Sequence, residues 1–165
     1  MAKDISFDVV SVTDMQEVDN AFQQTRKELA QRYDLKGSGA EVALDKAAGT
    51  LTVTAPAEFV AKQVIDIIQS KCFKRGIELS SIQWGKPINA SGGKVRMVGT
   101  VVNGIDKDLA STISKDIRAY NNKVKVQIEG DKLRVISTSR DTLQDIIRFL
   151  KDKDYGQPLQ YVNYR

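Results

Sequence analysis

The order of predicted elements repeats once along the chain, and this repeat constrains the fold more than any other feature. Apolar alternation and helical spacing predict strand, helix, strand, strand, helix, strand in each half. The halves also match residue by residue: Asp66-Ile67-Ile68 with Asp145-Ile146-Ile147, and residues 79–84 with 159–164. This order is that of the ferredoxin-like, or split βαβ, unit. We therefore expect an α+β protein with two such βαββαβ units, each a four-stranded antiparallel sheet with two helices on one face.

The boundary between the two units is predicted from local composition. Residues 85–93 are the only segment rich in Gly, Pro and Ser, and we interpret them as a linker. The predicted units are residues 1–88 and 89–165. Because each unit has room for only a small core, the two are expected to pack together. Exchange of a first strand between the two sheets stays open as an alternative.

Three local expectations follow from shorter patterns. Thr13 and Gln16 fit a Thr-x-x-Gln capping box at the start of the first helix, whose apolar side is predicted to extend to Tyr33. Residues 77–84 are predicted to form the last strand of the first unit.

The composition removes several classes of chemistry. Histidine is absent and Cys72 is the only cysteine, so a Ser-His or Cys-His catalytic pair, an intrachain disulfide and a cysteine-rich zinc site are excluded. Cys72 lies in an apolar helical pattern and is expected to be a buried, inert thiol. No apolar run approaches the roughly 18 residues of a membrane span, and the first residues lack the apolar core of a signal peptide. These features favour a cytoplasmic protein.

Positive charge is concentrated in the second half of the sequence. Residues 1–88 carry a net charge of −1, and residues 89–165 carry +5. Strand alternation places basic side chains opposite buried Val and Ile residues. We expect an open sheet face that presents Lys94, Arg96, Lys123, Lys125, Lys132 and Arg134. Two interpretations stay open: the face neutralises nucleic-acid phosphates, or it is a solvated surface whose lysines discourage edge pairing.

Further candidate binding residues lie outside this face. Lys74 and Arg75 crowd the end of the second predicted helix, where cations complement the helix dipole and also suit a ligand phosphate. The match between Trp84 and Tyr164 favours a packing role for both, whereas Tyr161 is left free to stack on a base. The predicted central strands lack the aromatic RNP motifs of an RNA-recognition domain.

Several motifs give the chain a specific resemblance to a known family. They are SFDVVS at residues 6–11, KRGI at 74–77, QIEGDKLRV at 127–135, RDTLQ at 140–144 and GQPLQYVNYR at 156–165. In this order, and over nearly the whole chain, they resemble the YajQ family of bacterial nucleotide-binding proteins. The resemblance implies two ferredoxin-like domains, a cytoplasmic location, no known catalysis, and binding of nucleotides or RNA. It also implies cyclic di-GMP as a ligand for some members.

The family's basic positions are retained in part. Lys115, Arg118 and Lys123 match them, but the Lys-Lys pair usual in the third helix is Ser111-Thr112 here. The resemblance therefore adds Lys115 and Arg118 to the candidate nucleotide-binding or RNA-binding residues.

The leading hypothesis is a non-catalytic protein that binds nucleotides or RNA through the basic second unit. Cyclic di-GMP and tRNA are the candidate ligands to test. No catalytic residue, metal site or cofactor is expected, because helix-end solvation explains the remaining carboxylate pairs, Asp106 with Asp108 and Asp152 with Asp154. The alternative is a protein-interaction or regulatory module whose open sheet faces are covered by a protein partner.

Overall fold

The computed structural model describes residues 3–165, in which four helices and nine strands are present. In chain order they are β1 (Ile5–Val10), α1 (Met15–Gln31), β2 (Glu41–Asp45), β3 (Thr50–Ala55), α2 (Glu58–Lys74), β4 (Ile82–Trp84), β5 (Ile88–Asn89), β6 (Val95–Val101), α3 (Lys107–Tyr120), β7 (Lys125–Glu129), β8 (Lys132–Ser137), α4 (Arg140–Lys151) and β9 (Gln160–Val162). Within the described part of the chain, no helix combines the length and apolar character that a membrane crossing requires.

The chain forms two units, one of which is inserted into the sequence of the other. Among the described residues, 3–12 and 103–165 form the split unit, and Thr13–Val102 form the inserted unit. The strand orders are β7-β8-β1-β9 and β2-β3-β6-β4, with β5 beside β6, and all pairs are antiparallel. Helices α3 and α4 pack on the first sheet, and α1 and α2 on the second. The predicted α+β class with two ferredoxin-like units is confirmed.

The first strand of each half lies in the sheet of the other half. β1 pairs with β8 and β9, whereas β6 pairs with β3 and β4, so the observed units differ from the predicted 1–88 and 89–165. Each exchanged strand buries its apolar side: Phe7 and Val9 join the core of α3 and α4, while Met97 and Val101 join that of α1 and α2. Regrouping the residues in this way gives each unit a net charge of +2, so the asymmetry between the sequence halves disappears.

Residues 85–93 belong to the inserted unit, and their interpretation as a linker is wrong. β5 pairs with β6, and the N–H of Gly85 donates to the carbonyl of Val98 at 2.9 Å. Gly92 and Gly93 have φ values of 73° and 74°, a left-handed conformation that glycine adopts without steric cost. The Gly-rich composition of this segment therefore reflects a tight return between two strands of one sheet.

The three local expectations are each corrected. Asp14 caps α1, since its carboxylate accepts hydrogen bonds from the N–H groups of Gln16 and Glu17, while the Thr13 hydroxyl donates to a carbonyl at 2.7 Å. Tyr33 lies beyond the end of α1 and is 99% exposed. Leu79–Ser81 form a 3₁₀ turn, so the predicted strand at 77–84 is reduced to β4.

The matched residues of the repeat occupy equivalent positions. Ile67 and Ile68 of α2 are buried in one core, as are Ile146 and Ile147 of α4 in the other. Trp84 packs against the inserted unit's core, and Tyr164 stacks on Phe7 with ring centroids 6.0 Å apart. An aromatic side chain at the end of the closing strand (Trp84 in β4) or just after it (Tyr164 after β9) thus has a packing role in both units.

Candidate functional site

The sheet of the split unit has one face directed to its helices and one opposite face. On the helix side, Phe7, Val9, Leu133 and Val135 are fully buried. Alternation places the intervening residues on the opposite face, which we call the polar face. It comprises Ser6, Asp8 and Val10 of β1, Lys132, Arg134 and Ile136 of β8, Lys125, Gln127 and Glu129 of β7, and Gln160 and Val162 of β9.

Asp8 lies at the centre of the polar face and is only 1% exposed. Lys132 Nζ lies 3.2 Å from Asp8 Oδ2, and Arg134 Nε lies 3.1 Å from Oδ1. Asn163 Nδ2 donates to Oδ2 at 2.9 Å. We call these four residues the Asp8 cluster. Its members come from three separate motifs, those at residues 6–11, 127–135 and 156–165, so the fold brings distant parts of the sequence to one place.

The cluster keeps Asp8 ionised despite its burial. Burial alone raises the pKa of a carboxyl group, because it penalises the charged form. Hydrogen bonds from Asn163, Arg134 and Lys132 outweigh that penalty and lower the pKa of Asp8 below the ordinary value of 3.8. The hydrogen bond with Asp8 also raises the pKa of Arg134. Near neutral pH the cluster is therefore a fixed arrangement of one carboxylate and two cations.

Asn163 reaches the polar face because its backbone leaves the extended conformation. Simple strand alternation would place its side chain on the helix side, together with that of Tyr161. Asn163 instead has a φ of 57°, a left-handed conformation that asparagine tolerates better than most residues. This turns the amide toward Asp8 and leaves Tyr164 stacked on Phe7.

The polar face carries less free positive charge than expected. Lys132 and Arg134 lie on it as predicted, but both are paired with Asp8, and Arg134 Nη1 also lies 3.5 Å from Glu129 Oε1. Lys125 is exposed on the same face. The face thus combines the cations Lys125, Lys132 and Arg134 with the carboxylates Asp8 and Glu129, for a net charge of +1.

Three other residues predicted for this face lie elsewhere. Lys94 and Arg96 belong to the inserted unit, where Arg96 on β6 is paired in register with Thr54 of β3. Lys123 lies in the connection between α3 and β7, where its backbone N–H donates to Asn121 Oδ1 at 3.0 Å. The expectation of a single face with six cations is wrong, because β6 is exchanged between the sheets and Lys123 precedes the strand.

The helix residues suggested by the family resemblance lie in another layer of the split unit. Lys115 and Arg118 are exposed on α3. The Arg118 guanidinium donates to the backbone carbonyl of Val126, on the edge strand β7, at 3.3 Å. These residues lie across the sheet from the polar face, since α3 packs on the opposite side.

Lys74 and Arg75 lie at the end of α2 in the inserted unit. Arg75 is paired with Glu17 at 3.3 Å and contacts Gln24 at 3.4 Å, whereas Lys74 is exposed. The contacts of Arg75 hold α1 and α2 together, which agrees with a structural role at this helix end.

Tyr161 is not available as an open stacking platform. Its ring packs on the helix side of the sheet, with its centroid 6.1 Å from that of Phe7 and the two planes at 72°. Burial raises the pKa of the Tyr161 hydroxyl. The match between the two halves left Tyr161 without an assigned packing role, but the core of the split unit supplies one.

Sequence reasoning missed Asp8 and Asn163. A partial signal was present for Asp8, which stands between the apolar residues Phe7 and Val9 and so faces away from the core. Its meaning depends on β8 being its neighbour, and alternation does not reveal that pairing. For Asn163 the decisive feature is a backbone conformation that has no signature in the strand pattern.

Cys72 is buried, as expected, and burial raises the pKa of its thiol to about 11. Within residues 3–165, no group of three or more Cys, Asp or Glu side chains is arranged to hold a metal ion.

Comparison with known proteins gives one consistent family. Residues 5–165 match the family described as "Nucleotide-binding protein YajQ-like". A protein from Geotalea uraniireducens named "Nucleotide-binding protein" is 49% identical over 160 residues, covering 97% of this chain and 98% of that protein. A protein of the same name from Alkaliphilus oremlandii is 43% identical over 165 residues and the full length of both chains. The resemblance drawn from the motifs is confirmed, and the chain belongs to the YajQ-like family.

Proposed function

We propose that this protein is a non-catalytic, cytoplasmic nucleotide-binding protein whose polar face receives the ligand's phosphates. The names of its relatives support the ligand class. The Asp8 cluster is the observation that supports the location, because it joins three motifs of the family resemblance and holds Lys132 and Arg134 on one face. The exposed Lys125 lies on the same face, diagonal to Arg134 in the β7–β8 register.

The arrangement is suited to binding a small anion. Asp8 fixes the positions of both cations, yet each keeps further N–H donors, and their side chains remain 32% and 28% exposed. Holding the cations in place before binding reduces the side-chain entropy lost when a phosphate arrives. Charge-assisted hydrogen bonds from Lys132 and Arg134 can then reach a phosphate oxygen, with Lys125 adding a third positive charge.

The charge of the polar face favours ligands with few phosphates. Its net charge is +1, with three cations in total. When the logarithm of the binding constant for a single-stranded nucleic acid is plotted against the logarithm of the salt concentration, each neutralised phosphate contributes about −0.7 to the slope. Three phosphate contacts therefore predict a slope no steeper than about −2. Nucleotides with one or two phosphates, including cyclic di-GMP, fit this face better than long RNA such as tRNA.

A titration with one matched pair of variants tests the proposal. Fluorescently labelled cyclic di-GMP, a labelled guanine mononucleotide and labelled tRNA are titrated with the full chain at low salt and at increasing salt. Lys125→Glu reverses a charge on the polar face and is expected to weaken binding by about tenfold or more. Lys27→Glu makes the same change at an exposed position on α1 and should leave affinity unchanged.

Two results would contradict the proposal. One is the lack of saturable binding of any of the three ligands at low salt. The other is an equal affinity for Lys125→Glu and Lys27→Glu. Lys123→Glu reverses a charge in the connection between α3 and β7, outside the polar face. It should therefore reduce affinity less than Lys125→Glu does, and the comparison shows which of the two positions contacts the ligand.

The alternative function, a protein-interaction or regulatory module, is supported by apolar surface in the inserted unit. Phe73 and Leu79 are 72% and 54% exposed and, with Gly76, Ile77 and Glu78, line a hollow of about 260 Å³. Exposed apolar side chains that lie together often mark a surface covered by a partner. Copurification of a protein that is retained after nuclease treatment, and lost in Phe73→Ser, would favour this alternative.

A further inference from the structure

A second cavity lies on the helix side of the split unit's sheet. It has a volume of about 320 Å³ and is lined by Ile5, Arg140, Gln144, Tyr164 and Arg165. Small-molecule sites commonly begin at about 300 Å³, so the cavity can admit a ligand of roughly mononucleotide size. The lining residues include members of two motifs, RDTLQ and GQPLQYVNYR, that the Asp8 cluster leaves largely unexplained. We call this space the Arg140 cavity.

Two arginine residues, Arg140 and Arg165, line the Arg140 cavity. Arg140 is the first residue of α4, and Arg165 is held against β1 by two backbone hydrogen bonds with Ser6, of 3.1 and 3.0 Å. In residues 3–165, no carboxylate forms an ion pair with either guanidinium within 4.0 Å. Asp4 and Asp141 adjoin lining residues in the sequence, but neither lines the cavity. Both arginines are therefore available to an anionic ligand.

An oriented aromatic ring completes the cavity. One side of Tyr164 stacks on Phe7 at 6.0 Å and 21°, and its hydroxyl accepts a hydrogen bond from Gln144 Nε2 at 2.9 Å. The residue is still 43% exposed and lines the cavity. A ring held in this way can stack on a nucleobase with little loss of side-chain entropy.

We propose that the Arg140 cavity binds one nucleotide unit, with the base stacked on Tyr164 and the phosphate between Arg140 and Arg165. The ligand class rests on the proposed function, but the site is distinct, because the cavity and the polar face lie on opposite sides of the sheet. A free 5′-mononucleotide and the 5′-phosphorylated end of an RNA present the same chemistry. Arginine suits this role because its planar guanidinium forms paired hydrogen bonds with phosphate oxygens.

The test uses isothermal titration calorimetry on the full chain with guanosine 5′-monophosphate, guanosine and inorganic phosphate. The mononucleotide is expected to bind more tightly than either part alone. With Lys125→Glu present in every protein compared, so that the polar face contributes little binding, Arg140→Gln and Arg165→Gln should each weaken the mononucleotide by about tenfold or more, as expected for loss of a charge-assisted hydrogen bond. Arg148→Gln is the matched control, since Arg148 lies on the same helix, is 71% exposed and does not line the cavity.

Tyr164 is tested by two substitutions. Tyr164→Phe keeps the ring and loses only the contact with Gln144, so affinity should stay within about threefold, whereas Tyr164→Leu removes the stacking surface and should cost about fivefold or more. Circular dichroism establishes that each variant is folded. Tyr164→Leu also removes the stacking contact with Phe7 and can therefore destabilise the protein. If Tyr164→Leu is unfolded, the site is tested by the variants of the exposed residues Arg140 and Arg165 alone.

The outcomes separate this inference from the proposed function. If the mononucleotide does not saturate the wild type, or if Arg140→Gln binds it like Arg148→Gln, the cavity proposal is overturned even where Lys125→Glu weakens other ligands. If Arg140→Gln weakens the mononucleotide while Lys125→Glu affects no ligand, the cavity stands and the polar-face proposal fails. Competition by a 5′-phosphorylated oligoribonucleotide, compared with its 5′-hydroxyl form, shows whether RNA ends also occupy the cavity.

Discussion

Replacing Asp8 with asparagine removes the charge that holds the Asp8 cluster together while keeping nearly the same volume. The carboxylate is 1% exposed and accepts from Lys132, Arg134 and Asn163 at 3.2, 3.1 and 2.9 Å. Breaking a fully buried ion pair costs about 3–5 kcal/mol, and breaking an exposed one about 0.2–1 kcal/mol. The partner cations are about one-third exposed and can be rehydrated, so we expect Asp8→Asn to lower the free energy of unfolding by about 2 kcal/mol.

The loss should also depend on pH in a defined direction. The pKa of Asp8 in the folded protein lies below the 3.8 expected for the unfolded chain. The unfolded state therefore binds the proton first as pH falls, and stability from the ionised carboxylate is complete only above the unfolded value. The difference between wild type and Asp8→Asn should be constant from about pH 5 to 7 and shrink as pH falls below about 4.

Urea unfolding followed by far-UV circular dichroism measures this difference, with Trp84 fluorescence reporting the inserted unit separately. Asp4→Asn is the control, because Asp4 precedes the same strand but is exposed. A loss below about 0.5 kcal/mol, equal to that of the control, would refute a stabilising role for the cluster. So would a difference that does not change between pH 5 and pH 3.

Two further predictions concern the inserted unit. Gly99→Ala places a methyl group 2.7 Å from Ile82 Cγ2 and 2.9 Å from the Trp84 ring. We therefore expect the free energy of unfolding to fall by about 1–3 kcal/mol and the Trp84 fluorescence emission to shift. An unchanged midpoint of urea unfolding would contradict this close packing. Cys72 is 2% exposed, and burial raises the pKa of its thiol to about 11. A thiol reagent at pH 8 should therefore modify Cys72 only as fast as the protein opens. Rapid labelling of the native protein would contradict the burial of this thiol.

The sequence predicted which side of each element is buried, because that information is local. Phe7 and Val9 alternate with Asp8, and Leu133 and Val135 alternate with Lys132 and Arg134, so the face of each side chain follows from the strand period. The repeat predicted two ferredoxin-like units for the same reason, since each element carries its own apolar pattern.

The tertiary structure alone decided which strands are neighbours. Alternation is equally satisfied by any partner strand, so nothing local specified that β1 pairs with β8 or that β6 pairs with β3. Because β6 pairs with β3, Lys94 and Arg96 belong to the inserted unit. Because β1 pairs with β8, Asp8 lies within reach of both Lys132 and Arg134. The sequence thus determined the elements and their buried faces, whereas the structure determined the site, because a site depends on residues brought together from distant parts of the chain.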